Sequence, residues 1–399
     1  MAPLAPIPLE VAQTRLLALA SVLPPEQVAA AEALGRYLAE PLLARRTQPP
    51  ADLSAMDGYA VAGDGPWQVI GESRCGEAFG RAIGAGQAIR ISTGAIMPEG
   101  GEAVLLQENA TRDGDQLGLN GEGDPTPRHI RRKGFDFAEG DALLPAGTRI
   151  GPAQLALALS AGHGSLPVRR VPVLAVLDSG DELASDPEDC APDQIPASNG
   201  AMLAALAAST MPCVIRRIGP VADTHEALAD ALAQAQGADI LVTSGGASVG
   251  EHDLVRPALE AWGAQIDFWR AAIKPGKPLM VARRGDTLVL GLPGNPVSGF
   301  VTAQLFLLPL LRAMAGALEP LPRRVMAACA SDLPPVGKRR EFLRAHWDGE
   351  IVQPLDEQDS SALRSLASAN ALIERPEQSE EVKAGTYVPL ILIQNGAIA

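Results

Sequence analysis

Between residues 169 and 315 the sequence alternates short apolar runs with helix-length amphipathic ones, and nearly every apolar run ends in glycine or proline. VPVLAVLDSG reads as a buried strand. SNGAMLAALAAST reads as a helix capped by Ser198 or Asn199, and CVIRRIG as a strand. DTHEALADALAQAQG follows as a helix, with Asp223 and Glu226 in capping-box spacing and Gly237 as a stop. ADILVTSGG is a strand, DLVRPALEAWG a helix, IDFWRAA and DTLVLGLPG strands, and PVSGFVTAQLFLLPLLRAM a long helix. Strands that are apolar on both faces, separated by helices, predict a parallel sheet with helices on each side: a three-layer α/β domain spanning 169–318.

The flanking segments have a different texture. Residues 9–45 carry apolar residues at helical spacing on both sides of Pro24-Pro25 and predict helices, in an N-terminal segment (1–45) that packs with 141–168. Residues 46–140 alternate short apolar runs with Gly, Pro, Asp and Asn and predict a β-rich domain. GPAQLALALSAG (151–162) reads as a helix, and 319–399 as a small C-terminal β domain. There is no internal repeat.

Charge and cysteine usage narrow the function classes. The 399 residues hold 33 basic and 47 acidic side chains, a net charge of −14, which excludes a general nucleic-acid binder. The four cysteines include no C-x-x-C pair, and the five histidines no H-x-x-x-H pair, so neither a disulfide framework nor a transition-metal centre is expected. No basic stretch precedes the apolar residues near Leu16, and FVTAQLFLLPLL is broken by Gln304 and Pro309. A cytoplasmic protein without a secretory signal or membrane span is therefore expected.

In an open α/β sheet, ligands bind outside the carboxyl ends of the strands. Four polar loops fall at such ends. The first runs Asp178-Ser179-Gly180-Asp181-Glu182, and the second from Thr243 to Gly250 (TSGGASVG). The third is IKPGKP, from Ile273 to Pro278, and the fourth GLPGNPVS, from Gly291 to Ser298. TSGGASVG offers backbone N–H groups and the hydroxyls of Ser244 and Ser248, which suit a phosphate, and the same pattern describes an ordinary β–α turn. IKPGKP holds two of the chain's five lysines between prolines, a stiff pair of cations that suggests an anion clamp. Asn295 and Pro296 suit the start of a helix. The carboxylates of DSGDEL and of Glu251 and Asp253 imply Mg²⁺ if they face a phosphate, and Asp253 also suits a helix cap. In the β-rich segment, LSAMDGYAV, ISTGAIMP and HIRRKGFDF read locally as turns, with Arg131-Arg132-Lys133 as a solvated face.

Taken in order, SAMDGYAV, RISTGAIMPEG, RRKGFDF, SGDEL, TSGGASVGEHD, IKPGKP and GLPGNPVS resemble the molybdopterin molybdenumtransferase (MoeA) family, which is similar to the E domain of gephyrin. The resemblance covers nearly the whole chain and weakens after about residue 320. It implies four subdomains, with a barrel-like C-terminal β domain, and an elongated homodimer whose site is closed by the partner's β-rich domain. It also implies Mg²⁺-dependent transfer of molybdate to adenylylated molybdopterin with release of AMP, downstream of a molybdopterin adenylyltransferase.

Carried over by position, Asp57, Thr93, Asp136, Glu182, Asp253, Lys274 and Lys277 are the implied catalytic residues, with Glu182 and Asp253 toward the metal. Ser179, Gly180, Asp181, Ser244, Gly245, Gly246, Ser248, Gly250, Pro293, Gly294, Asn295, Pro296 and Ser298 would line the substrate. Arg344 and Ser360 would contact an anion from the C-terminal domain. The chain departs from the family pattern at Phe135 (GFD for GED), at Ala197 (IPASN for a DTN-type segment) and at QDSSAL (for a QGSH-like segment). A molybdopterin adenylyltransferase, which shares the α/β module, and a gephyrin-type scaffold are the rival readings. The β-rich and C-terminal domains count against the first, and the intact polar loops against the second.

Overall fold

A computed structural model of the chain describes residues 6–245 and 254–393. At its centre lies a six-stranded sheet of β1 (Val173–Ser179), β2 (Val214–Val221), β3 (Ile240–Ser244), β4 (Gln265–Arg270), β5 (Pro278–Arg284) and β6 (Thr287–Leu292), in the order β2-β1-β3-β6-β5-β4. Alternate residues of β1 go to opposite faces. Leu174 and Val176 pack with Leu203, Leu206 and Phe300, while Ala175 and Leu177 pack with Leu228, Leu232 and Leu259. The helices supplying those partners are α3 (Asn199–Thr210) and α6 (Pro296–Met314) on one face, joined by α1 (Leu9–Leu19), and α4 (His225–Gln234) and α5 (Val255–Ala261) on the other. Helix α2 (Pro152–Ser160) and the short helix Leu363–Ser368 lie outside this domain.

The sheet is mixed rather than wholly parallel. PLMVARR forms β5, antiparallel to both β6 and β4. Residues 271–277 are too few for a crossover, so the chain must turn straight back after β4. A two-residue turn with Gly285 at φ +56° then carries β5 into β6. Reversing twice leaves β4 parallel to β6, so its carboxyl end joins those of β1, β3 and β6 on one edge.

The N-terminal segment departs from its helical expectation. Only α1 is a long helix there. Pro25–Ala29 pairs antiparallel with Ser165–Arg169, and a single 3-10 turn follows at Ala30–Ala33. The Ala-rich stretch favours helix locally, but the backbone of 165–169 supplies a strand partner, and Gly35 turns the chain at φ +80°. The start of α4 is capped by Thr224, whose hydroxyl accepts the Ala227 N–H at 3.2 Å, rather than by Asp223.

Two further sheets flank the α/β layers. Gly58–Ala62, Trp67–Ser73, Gln87–Ile91, Ala103–Leu106, Ala110–Asp113 and Gln116–Leu119 make the six-stranded sheet of the β-rich part. β7 (Arg324–Cys329), β8 (Arg340–Trp347), β9 (Ile351–Pro354), β10 (Ala371–Arg375) and β11 (Tyr387–Leu392) close a barrel in the order β8-β9-β7-β11-β10-β8. The short strand Ile273–Lys274 is added to β8, which ties the IKPGKP loop to the barrel.

Helix α6 is long and apolar enough to read as a membrane span, but 89% of its apolar window is buried in the core. Its middle, Ala303–Leu307, is a π turn, and the Leu308 N–H bonds the Ala303 carbonyl. Pro309 explains the irregularity. It has no N–H for the Leu305 carbonyl four residues back, and its ring crowds that oxygen. Gln13, 4% exposed on α1, supplies the missing donor, with Nε2 2.9 Å from the Leu305 oxygen. Gln13→Ala should therefore cost about 1–3 kcal/mol in denaturant unfolding, because it strands a buried carbonyl. The exposed neighbour change Arg15→Ala should stay within about 0.5 kcal/mol.

Candidate active site at the carboxyl edge of the sheet

Glycines let the strand-end loops approach within van der Waals distance. The Gly245 N–H donates to the Leu292 carbonyl at 3.2 Å, joining the loops after β3 and β6. A Cβ on Gly245 would sit 3.3 Å from the Ser179 carbonyl, and one on Gly294 would sit 3.6 Å from the Gly245 Cα. Gly245 has φ +99°, a conformation side chains rarely adopt. Asn199, at the first turn of α3, donates through Nδ2 to the Gly294 carbonyl at 2.6 Å. In IKPGKP a Cβ on Gly276 would lie 2.5 Å from Thr302 Cγ2, so that loop is seated on α6. The described parts of all four loops thus lie along one rim. Gly246, Ser248, Gly250 and Asp253 lie outside the described residues.

The two lysines of IKPGKP are both exposed but differently committed. Lys274 Nζ pairs with Glu341 Oε1 of the barrel at 2.9 Å. Lys277 has no side-chain partner among the described residues. The clamp therefore has one cation anchored to the barrel and one available to an anion.

Asp178, Asp181 and Glu182 have separate surroundings. Asp178 ends β1 with its side chain 3% exposed, and Arg217 reaches it only at 4.0 Å. Its Oδ1 is buried without a hydrogen-bond partner. Burial raises its pKa above the usual carboxylate range, against the opposing pull of Arg217, the Gly200 N–H and the Ser244 hydroxyl. A Cβ at Gly200 would lie 2.0 Å from Asp178 Oδ2, so only glycine lets α3 start against this carboxylate. Asp181 accepts the Asp223 N–H at 3.0 Å, which brings the β2–α4 connection to the rim. The exposed Glu182 folds over Gly180, where a Cβ would meet its Oε2 at 2.5 Å. The loop motif already counts Asp178 among the DSGDEL carboxylates, whereas no motif assigns Asp223 to the site.

The barrel reaches the same rim through residues 355–362. Asn295 stands at the N-cap of α6 but makes no capping bond. Its Nδ2 instead donates to Ser360 Oγ at 2.9 Å, and the Val297 N–H donates to the Ser360 carbonyl at 3.1 Å. Pro293 precedes this turn, and Pro296 begins the helix, where its missing N–H costs nothing. Ser298 is 6% exposed, and its carbonyl accepts the Thr302 hydroxyl at 2.6 Å. Arg344 is 1% exposed. Its guanidinium donates to the Asp359 and Glu357 carbonyls at 2.9 and 2.8 Å, so here it braces the loop that carries Ser360.

Asp57, Thr93 and Asp136 make their hydrogen bonds within the β-rich part. Asp57 Oδ1 accepts the Thr93 N–H at 2.8 Å, and the exposed Cys75 thiol donates to the Thr93 carbonyl at 3.1 Å. The Asp136 N–H donates to the Gln48 carbonyl at 3.1 Å, beside Phe135, which is 77% exposed. The neighbouring basic run is organised rather than merely solvated. Asp52 accepts the Lys133 N–H at 2.8 Å and pairs with Arg132 at 2.6 Å, and these bonds hold its carboxyl below the usual range. Asp57, Thr93 and Asp136 are exposed, and their bonds among the described residues reach no rim residue.

Hard oxygen donors predominate on the rim, and among the described residues no group of three or more His, Cys, Asp or Glu side chains could enclose a metal ion. Such a donor set does not suit a soft transition metal. It fits Mg²⁺, which takes one or two carboxylates and completes its shell with water and substrate phosphate.

Comparison with known proteins agrees with this arrangement along the chain. Residues 7–162 match the MoeA N-terminal region (domain I and II), 175–313 a probable molybdopterin binding domain, and 326–393 the MoeA C-terminal region (domain IV). A molybdopterin molybdenumtransferase of Bacillus subtilis (strain 168) is 32% identical, covering 98% of this chain and 96% of its own. One from Haemophilus influenzae is 33% identical, covering 90% and 91%. The crystal structure of the molybdopterin biosynthesis moeA protein from Pyrococcus horikoshii OT3 superposes with a TM-score of 0.83 at 28% identity, over 98% of this chain and 100% of that one. Three matched regions in order, full-length relatives and a shared fold place this chain in the molybdopterin molybdenumtransferase family.

Proposed function

We propose that this protein inserts molybdenum from molybdate into adenylylated molybdopterin, releasing AMP and leaving the metal on the two dithiolene sulfurs. The observation that carries the reading is the convergence of the glycine-lined strand ends with Lys277, which has no side-chain partner among the described residues, on the rim of an otherwise acidic protein. Both substrates are anions, and the metal arrives as an oxyanion held by the substrate's own sulfurs. The protein therefore needs fixed cations and N–H donors more than soft ligands.

In this reading the Gly-rich turns present N–H groups to phosphate oxygens. Lys277 offsets the charge that collects as phosphate and molybdate approach each other. Lys274, anchored by Glu341, fixes the loop and adds a second positive charge. Ser360 and Asn295 close the barrel side of the pocket. Glu182 and Asp253 would hold Mg²⁺, which when bound neutralises phosphate charge and favours departure of AMP. Asp57, Thr93 and Asp136 act on the site of the other subunit of a homodimer, because they are exposed and have no bond to their own rim. The decisive experiment supplies purified protein with adenylylated molybdopterin and molybdate. AMP release together with active cofactor supports the reading. Consumption of ATP with unmodified molybdopterin would assign the adenylyltransferase reaction instead.

Lys277→Ala should lower kcat/KM by about 10²-fold, the cost of losing one fixed transition-state charge, while Lys274→Ala costs less. Both changes are exposed, so Tm should move by no more than about 2 °C. Mixing inactive Asp57→Ala with inactive Lys277→Ala protein, after subunit exchange, should restore about a quarter of wild-type activity, since half of the dimers are mixed and each of those keeps one intact site. Recovery at the level of the unmixed variants would contradict a shared site.

Asp178→Asn should reduce activity yet stabilise the fold by about 1 kcal/mol at pH 7. The sign follows from linkage: the folded-state pKa of Asp178 is raised, so its ionised form is the less stable one in the native protein. The stability that protonation brings is complete below the ordinary aspartate range and is lost as pH rises through the raised value. The advantage of the Asp178→Asn variant in urea unfolding should accordingly be present at neutral pH and vanish in acid.

A further inference from the structure

A second polar cavity of about 220 Å³ lies at the far end of α3 and opens into a wider recess of about 700 Å³. Helix α3 starts at the carboxyl edge, against Asp178, and ends with Ser209 and Thr210 in the wall of this cavity. The cavity therefore sits at the opposite edge of the sheet from the candidate active site. The chain assembles it from five regions: Tyr37, Arg149 and, on α6, Gln304 and Arg312 line both spaces, the end of α3 walls the smaller one, and Leu392 closes them from the barrel.

Its polar groups are almost all donors with capacity to spare. Tyr37 and Gln304 are each 6% exposed, and neither side chain has a hydrogen-bond partner among the described residues. Gln304 is the polar residue within the π turn of α6, where Ala303, Leu305, Phe306 and Leu307 are fully buried and apolar. Tyr37 and Arg149 are bridged through their backbones. Arg149 gives one N–H to the Thr210 carbonyl at 3.2 Å, and Arg312 gives one to the Pro320 carbonyl at 3.3 Å, leaving most of both guanidinium groups uncommitted. Burial, with the nearby Arg149, lowers the pKa of Arg312, and burial also keeps the Tyr37 phenol protonated and able to donate. The Ser209 and Thr210 hydroxyls are already spent on the Leu206 carbonyl. Glu319, the acid lining the wider recess, is paired with Arg323 at 3.0 Å.

Two arginines facing one cavity without an acid between them, in a protein of net charge −14, leave positive charge unanswered. We propose that this cavity binds a small tetrahedral oxyanion, of the phosphate, sulfate and molybdate class, at a site separate from the carboxyl edge. The guanidinium forks suit paired oxygens, Tyr37 and Gln304 supply directional donors, and the volume admits the ion with accompanying water.

Calorimetric titration of the full chain with phosphate, sulfate and molybdate, against chloride at matched ionic strength, tests this. The wild type and Lys277→Ala should both show saturable binding of at least one of the three anions. Arg149→Gln and Arg312→Gln should weaken it by about tenfold or more. Comparing the three anions identifies which one the site prefers. The proposal is overturned if none binds beyond the chloride control, if Lys277→Ala alone abolishes binding, or if both arginine variants bind as the wild type does. Should Arg312→Gln fail to fold, the exposed Arg149→Gln decides the matter by itself.

Discussion

The whole arrangement depends on backbone approaching backbone at one edge of a twisted sheet. The Gly245 N–H on the Leu292 carbonyl and the Asn199 amide on Gly294 join three strand ends that are distant in sequence. Gly245 makes the first possible, with φ +99° and the Ser179 carbonyl 3.3 Å from where a Cβ would sit, and Gly200 lets the helix that carries Asn199 start against Asp178. A surface built this way leaves backbone rather than side chains facing the rim. The few cations can then be placed where they matter, which is how a strongly acidic chain handles anionic substrates.

Bracing for this edge comes from outside the α/β domain. The barrel contributes Glu341 to hold Lys274, and Ser360 to engage Asn295 and Val297. Arg344, buried within the barrel, fastens the carbonyls of the loop that brings Ser360 forward. A long buried arginine is a costly support unless its donors are used, and two of its bonds secure one turn. Asp178 carries a similar burden without such a bracing role, since it stays buried with an oxygen unpartnered and its charge disfavoured. Groups that weaken a fold in this manner concentrate where a protein acts.

Much of this was legible in the residues. The alternation of 169–315 announced helices and strands, and the position of each polar loop after an apolar run located the rim, because only the carboxyl ends of such strands are open to ligand. Lys274 and Lys277 stood out together, as two of only five lysines and set between prolines. The sequence pattern missed β5, which is apolar like its neighbours but short of a recognised turn, and it took residues 25–33 for helix because alanine favours helix wherever no strand partner is in view.

The linear chain by itself determined the chemistry on offer: hard oxygen donors, glycine turns, two lysines between prolines, and an acidic background. Only the tertiary structure decided how those groups are divided. It paired Lys274 with Glu341 and gave Lys277 no such partner among the described residues, turned Arg344 inward, and brought Tyr37, Arg149 and, from α6, Gln304 and Arg312 into one cavity from three parts of the chain. Pairings of this kind are contacts between residues far apart in sequence. Local propensity and periodicity report only on near neighbours, so no reading along the chain contains them.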